Sequence, residues 1–335
     1  MKKISSSERT LAFINHRPVD RLPFHPIIMR WAARYTHTPY RDFCLDPQAR
    51  CRAGLACARD FDIDWVTVMS DPYAEAEAFG LNVEYPEDDL PKEKDGHLTL
   101  DQMRELKPYK VSDHARLQNR IKEIATYCEM AGEEFFVVGW IEGPMSAYAL
   151  LRNASVAALD LLDDPDAVHH AMDVIAESAK PLIKMQIEAG AHCIGVGDAF
   201  ASQIGRPLYM EFIFEREKQL IEYIHSLGAL AKLHICGNTS AIMPDMIKSG
   251  ANIVDVDHQV PSMADFVGQL GRDQVFSGQS DPVTVIQNGT RKEIEKAVEA
   301  CLEAASDRCI VSAGCEVPPD TPLENMRAFS ATAKI

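Results

Sequence analysis

Short apolar runs rich in β-branched residues alternate with long amphipathic stretches along this chain, and that alternation limits the folds open to it. Eight runs stand out: LPFHPII (22–28), WVTVM (65–69), FFVVGWI (135–141), HCIGVG (192–197), KLHIC (232–236), NIVDVD (252–257), QVFSG (274–278) and RCIVSAG (308–314). Stretches with helical spacing lie between them, at 165–191, 207–229, 241–251 and 290–305. Three of these end at a glycine, Gly190, Gly228 or Gly250, placed where a helix C-terminus favours a residue that tolerates positive φ. Buried strands that alternate with helices imply a parallel sheet with helices outside it, and eight of them closed on themselves make a (β/α)8 TIM barrel. An open doubly wound sheet is the competitor, but no glycine-rich dinucleotide turn follows the first run. The expectation is an α/β chain whose residues 1–335 form a single (β/α)8 barrel domain. It has a short N-terminal helical extension, where Ser5 and Glu8 are spaced as a capping box. The stretch 80–130 is longer than one helix needs, and YPEDDLPKEKDGH (85–97) reads as a loop or small excursion.

Composition narrows the function classes. The chain of 335 residues is 46% hydrophobic and 25% charged, an ordinary globular balance, with a net charge of −16. Such an acidic surface argues against non-specific binding to nucleic acid or to an anionic membrane. No apolar run approaches the roughly 18–20 residues of a bilayer span. The first twenty residues do not read as a signal peptide, and nine scattered cysteines read as reduced thiols. A cytoplasmic protein is expected.

The ends of the runs carry the chemistry. In a barrel the C-terminal ends of all strands open on one mouth. Ser70 and Asp71 follow the second run, Glu142 the third, Asp198 the fourth. His234 and Cys236 close the fifth, Asp255, Asp257 and His258 the sixth, Gln279 and Asp281 the seventh, and Cys315 the eighth. An imidazole and two thiolates favour Zn²⁺ over oxygen-seeking Mg²⁺ or Ca²⁺. Three protein ligands with a fourth position open make a catalytic zinc pattern, and Glu142 is a candidate for that fourth position at rest. Blander readings stand beside these. A His-x-Cys at a strand end can be structural, Asp71 and Asp198 can cap the helices after them, and Cys193 and Cys309 belong to the core.

The chain resembles the uroporphyrinogen decarboxylase superfamily nearly end to end. ERTLAFINHRPVDRLPF, MRWAARY (29–35), MSDPYAEAEAFG, GWIEGPMSAYALLRN, SGQSDPVTVIQNGT and GCEVPPDTPLENMRAF carry the similarity. The resemblance implies a (β/α)8 barrel and two chemistries. Decarboxylases of the family need no metal and have a histidine where this chain has Cys315. The methylcobamide-dependent methyltransferases are similar at HICGN (234–238) and at the late cysteine. They imply zinc on His234, Cys236 and Cys315, and a methylcobamide or methylcobalamin donor carried by a corrinoid protein. The acceptor is then a thiol such as coenzyme M, or tetrahydrofolate. Asp71 and Asp198 are the expected acid–base residues, and Arg30, Arg34, Asn238 and Asp257 the expected cofactor contacts. Arg30 and Arg34 resemble the arginines with which decarboxylases bind propionates, and guanidinium suits any carboxylate, which tilts the acceptor toward folate. The alternatives are a metal-free uroporphyrinogen decarboxylase and a tetrapyrrole-binding protein without turnover. A homodimer is compatible with the resemblance.

Overall fold

Seven of the eight apolar runs become strands of one parallel sheet in the computed structural model, which describes residues 4–334. They are β1 (Trp65–Thr67), β2 (Phe136–Glu142), β3 (Cys193–Gly197), β4 (Leu230–Ile235), β5 (Ile253–Val256), β6 (Val275–Ser280) and β7 (Cys309–Ala313). Each pairs with the next in chain order, so every crossover advances one place along the sheet. Helices cover it from outside, among them Ala115–Ala131, Pro165–Glu188, Phe214–Ser226 and Arg291–Ala304. Strands β2, β3, β5 and β7 are buried at every residue. That explains their continuous apolar character, since both faces of such a sheet are covered. Gly190 and Gly228, at φ of 114° and 84°, turn the chain out of the helices that precede β3 and β4.

The first run, 22–28, is the exception, and proline is the reason. Pro23 and Pro26 offer no N–H, so the segment cannot sustain a ladder. It makes a single parallel bridge, Phe24 to Val311. Around it, Val311 N donates to Pro23 O at 3.0 Å, His25 N to Val311 O at 2.9 Å, and Asp64 N to Phe24 O at 2.9 Å. The segment therefore reaches both edges of the sheet, beside β7 and just ahead of β1. In place of eight expected strands there are seven, with an irregular segment in the eighth position.

The N-terminal helix Ser6–Ile14 starts at the expected capping box, Ser5 with Glu8. Its Arg9 helps fasten the eighth position. The wholly buried Asp64 receives Arg9 Nη1 at 2.5 Å, Arg21 Nη1 at 2.7 Å and the backbone N–H of Phe24 at 2.8 Å. The excursion at 85–97 is more than a loop. Lys92–Glu93 pairs antiparallel with Val83–Glu84 as a short ribbon. Among the described residues no helix is long and apolar enough to cross a membrane.

Asp64→Ala removes an acceptor shared by two guanidiniums and a backbone donor, of which Arg9 keeps Asp20 and Arg21 keeps two carbonyls, so it is expected to cost about 3 kcal/mol of stability. Urea denaturation followed by circular dichroism measures this. A loss below about 1 kcal/mol would show that Asp64 does not fasten the 22–28 segment.

Candidate metal centre and its cavity

His234 is the last-but-one residue of β4, Cys236 lies just past that strand's end, and Cys315 follows β7. One donor atom from each lies within 4.8 Å of the other two. His234 Nε2 is 3.0 Å from Cys236 Sγ, and the two sulfurs are 3.5 Å apart. None of the nine cysteines is disulfide-bonded. Strand alternation puts Lys232 and His234 on one face of β4, and His234 is in register with Asp255 on β5. Asp255 Oδ2 lies 2.8 Å from His234 Nδ1 and 2.7 Å from Lys232 Nζ. With Nδ1 held by Asp255, Nε2 is the nitrogen presented to the sulfurs, the arrangement that orients a metal-binding histidine.

The electrostatics of the three groups are interlocked. Burial works against a charged His234, but the bonds to Asp255 and Cys315 prevail and raise its pKa to about 9. The Cys315 thiol is pulled down to about 4 by its hydrogen bond from Cys236, against burial and with help from His234. Cys236 is pushed well above its ordinary value by Cys315 and by burial. One nitrogen and two sulfurs fit Zn²⁺, and the observed sulfur separation is within a few tenths of an ångström of the roughly 3.8 Å that tetrahedral bonds of about 2.3 Å require.

Glu142 is positioned by glycine. A Cβ on Gly195 or Gly197 of β3 would come within 2.3 or 2.5 Å of the Trp140 ring. The two glycines therefore make the space the indole occupies, and its Nε1 donates to Glu142 Oε1 at 2.9 Å. Burial, then the neighbouring Glu75, hold the Glu142 carboxyl well above the usual range. Glu142 shares a cavity of about 970 Å³ with Cys236 and Cys315, but its carboxylate is not part of the three-atom donor cluster.

The other expected site residues divide into two groups. Asn238 and Asp257 line this cavity. Asp257 accepts from the backbone of Gly237 at 2.8 Å and of Gln259 at 2.9 Å, which fixes the loop after Cys236. Arg30 and Arg34 do not line it. They face a separate groove near Asp88 and Asp320, where Arg34 pairs with Asp320 and Arg30 lies 3.9 Å from Asp89. Asp71 and Asp198 are buried behind the cavity wall. Asp71 is bound by Arg116, by Ser70 Oγ at 2.5 Å and by the backbone N–H of Tyr73 at 3.0 Å. Asp198 accepts from Ser146 N at 2.6 Å and Met145 N at 3.3 Å, so it caps the helix Pro144–Arg152 rather than the segment after itself.

Sequence reading passed over several residues that matter here. Asp255 was visible as a strand-end acid, yet its pairing with His234 and Lys232 depends on register, which no single strand reveals. Glu93 and His97 come from the polar excursion, where no apolar pattern marks them. Glu316 adjoins Cys315, lines the cavity and accepts from Arg30 N at 2.9 Å.

Comparison with known proteins follows the same lines. The family model for uroporphyrinogen decarboxylase (URO-D) matches residues 5–335. A methylcobamide:CoM methyltransferase, MtbA of Methanosarcina mazei, is 26% identical over 343 residues, spanning 100% of this chain and 99% of its own. A uroporphyrinogen decarboxylase of Prochlorococcus marinus is 25% identical over 325 residues, spanning 92% of this chain and 91% of its own. Among solved structures, a methyltransferase from Methanosarcina mazei superposes with a TM-score of 0.84 at 21% identity, covering 99% of this chain and 98% of its own.

Asp198 also generates a pH prediction. Burial lifts its pKa to about 6, and burial plus the neighbouring Asp198 charge lift Glu217 well above the usual range. Both folded-state values exceed those of the unfolded chain. The pair therefore favours the fold fully at low pH, and that contribution is lost as pH rises through about 6. Glu217→Gln removes the second charge while still accepting from the Tyr209 hydroxyl, which bonds Glu217 at 2.5 Å. The variant is expected to be more stable than wild type at pH 8 and to lose that advantage at pH 5. Thermal melts at the two pH values check it, and a constant difference would show that the pair does not titrate.

Proposed function

The chain belongs to the uroporphyrinogen decarboxylase family, and from that premise we propose that it is a corrinoid-dependent methyltransferase rather than a decarboxylase. The observation that carries this reading is the convergence of His234, Cys236 and Cys315, with the histidine oriented by Asp255. Relatives named methylcobamide:CoM methyltransferases, similar over the whole chain, support it. So does the cavity wall, which has neither lysine nor arginine among its described residues to meet a polycarboxylate such as a porphyrinogen. In this reading the fold is the family's barrel, with 22–28 standing in for its eighth strand, and residues 1–335 are one domain. The protein works in the cytoplasm, with a corrinoid protein as its methyl-donating partner.

His234, Cys236 and Cys315 would hold a zinc ion, with Glu142 as a replaceable fourth ligand. The ion would supply one thing, an acceptor thiol kept in its deprotonated form at neutral pH. The remaining work falls to the chain. Asp255 and Lys232 keep His234 Nε2 turned toward the sulfurs. Asp257 fixes the loop that carries Cys236, and Asn238 reaches the bound molecules. Glu142, held by the Trp140 N–H and lining the cavity, stands beside the sulfurs where the acceptor enters. The acceptor sulfur forms a bond to the methyl carbon. A methylcobamide, as the donor substrate, would give up the methyl group and keep the electron pair of its carbon–cobalt bond. Asp71 and Asp198 act as positioning residues beneath this surface. With Arg30 and Arg34 outside the cavity, folate carboxylates have no counterpart on its wall, so a thiol is the preferred acceptor over tetrahydrofolate.

Protein purified without chelator is expected to carry about one zinc per chain. Cys236→Ser and Cys315→Ser are expected to lose most of it, and Asp255→Asn to bind it about 10–100-fold more weakly. Glu142→Gln is expected to retain it. Metal analysis reads all four variants. Incubation with methylcobalamin and a thiol, followed in the cobalamin spectrum, reads the transfer itself. Full zinc in Cys315→Ser would remove that residue from the site, and turnover of uroporphyrinogen without methyl transfer would return the chain to the decarboxylases.

A further inference from the structure

A carboxylate–imidazole pair, Asp257 with His258, is clasped between the two loops that carry the cysteines. Both residues follow β5 directly. Asp257 Oδ2 accepts from the N–H of Gly237, the residue after Cys236, at 2.8 Å, and Oδ1 from Gln259 N at 2.9 Å. Oδ1 is also 2.8 Å from His258 Nδ1. On the other side, a Cβ on Gly314, the residue before Cys315, would come within 2.3 Å of the His258 backbone nitrogen. His258 lines the same cavity as Cys236 and Cys315, yet it is no part of their donor cluster.

The contact with Asp257 decides which ring nitrogen is free. Nδ1 is wholly covered while the side chain is 32% exposed, so the open edge of the ring carries Nε2. Nε2 lies 3.9 Å from Asp281 Oδ2, beyond hydrogen-bond reach but within reach of its charge. Asp281 is already engaged, since its Oδ1 accepts from Val283 N and Thr284 N, each at 2.8 Å. Pro282 and Val283, next along the chain, are cavity wall, which puts Nε2 on the cavity side of the ring. The other imidazole of the wall, His97, has both nitrogens occupied, Nδ1 by Leu150 O at 3.1 Å and Nε2 by Glu93 at 3.4 Å.

We propose that His258 takes the proton of the acceptor thiol as its sulfur enters the cavity and passes that proton to solvent. An Nδ1–H donated to Asp257 holds the ring in the tautomer whose Nε2 accepts, the use a carboxylate serves behind a histidine base. In the step the S–H bond breaks, its electron pair stays on sulfur, and an N–H bond forms at Nε2. The imidazolium then stands between Asp257 and Asp281 and returns the proton to water from its exposed edge. The titratable groups around it are Asp257 on its own loop, Asp281 after β6, and Cys315 and Glu316 after β7, which share the cavity. Of the described carboxylates, only the two aspartates come within 4 Å of its ring nitrogens. That the incoming thiol is a methyl acceptor rests on the methyl-transfer reading; the placing of the imidazole does not.

The test mixes zinc-loaded full-length protein with coenzyme M in weak buffer and follows proton release by stopped flow with a pH indicator. Wild type and His258→Gln are each expected to release about one proton per chain, because metal ligation takes the deprotonated thiol. At pH 7 the variant is expected to do so at least about tenfold more slowly. The gap is expected to close at pH 9, where a thiol with an ordinary pKa of about 8.5 ionises unaided. Asp281→Asn removes the charge beside Nε2 while keeping the helix cap, and is expected to slow release in the same direction by a smaller factor. Metal analysis runs alongside, and if His258→Gln fails to fold or loses zinc, Asp281→Asn decides. Release at the wild-type rate in the deciding variant overturns the proposal, as does a slowing that persists undiminished at pH 9, or failure of wild type to bind the thiol. Methylcobalamin is then added to the same mixtures. Release that depends on His258 without methyl transfer leaves the proposal standing and removes the methyl-transfer reading. Methyl transfer with equal release rates does the reverse.

Discussion

Asp255 is the point on which the rest of the site depends. It is a wholly buried carboxylate in the middle of a parallel sheet, a costly place for a charge. Burial alone would raise its pKa, yet Lys232 and His234 hold it well below the ordinary range. Lys232 is equally buried, and its ammonium lies 5.7 Å from the ring of Trp65, on which His25 stacks at 4.2 Å. A chain of side chains thus runs from the irregular 22–28 segment to His234. Its worth is geometric more than energetic, because a buried ion pair offsets its own desolvation and gains little beyond that. It fixes which nitrogen of His234 is free.

A second constraint comes from small residues. Gly195 and Gly197 alternate on β3, and both yield their side-chain space to Trp140 on the neighbouring strand. The indole fills that space, approaches His234 at 6.3 Å between centroids and holds Glu142 by its N–H. Two glycines in a buried strand normally weaken it. Here they place an aromatic ring between the imidazole and the carboxyl, and so set the distance between the two sides of the cavity floor.

Much of this was legible in the sequence, for identifiable reasons. Seven strands follow from apolar runs because a doubly covered parallel strand has no polar side to hide. Run 22–28 misleads because its apolar residues look strand-like while its two prolines remove the donors a ladder needs. His234, Cys236 and Cys315 stand out because they sit at strand ends, and topology then brings them together. Asp255 does not, because its role depends on the register of β4 against β5. Arg30 and Arg34 look like ligand contacts in a string of residues. Asp89 and Asp320, which occupy them, are distant in sequence and polar like any loop.

The partners of each carboxyl separate structure from function more sharply than the residue type does. Beneath the cavity, most buried acids meet cations, Asp64 with Arg9 and Arg21, Asp71 with Arg116, Glu75 with Arg120 and Asp255 with Lys232, the Asp198–Glu217 pair being the exception. Such pairs are complete, and nothing further is needed to neutralise them. Three carboxyls of the wall are held differently. Glu142 takes an indole N–H, Glu316 a backbone N–H, and Asp257 two backbone N–H groups and an imidazole. Neutral donors orient a carboxyl without cancelling its charge. Its position is then fixed by the fold, while burial holds the Glu142 and Glu316 carboxyls toward their neutral forms.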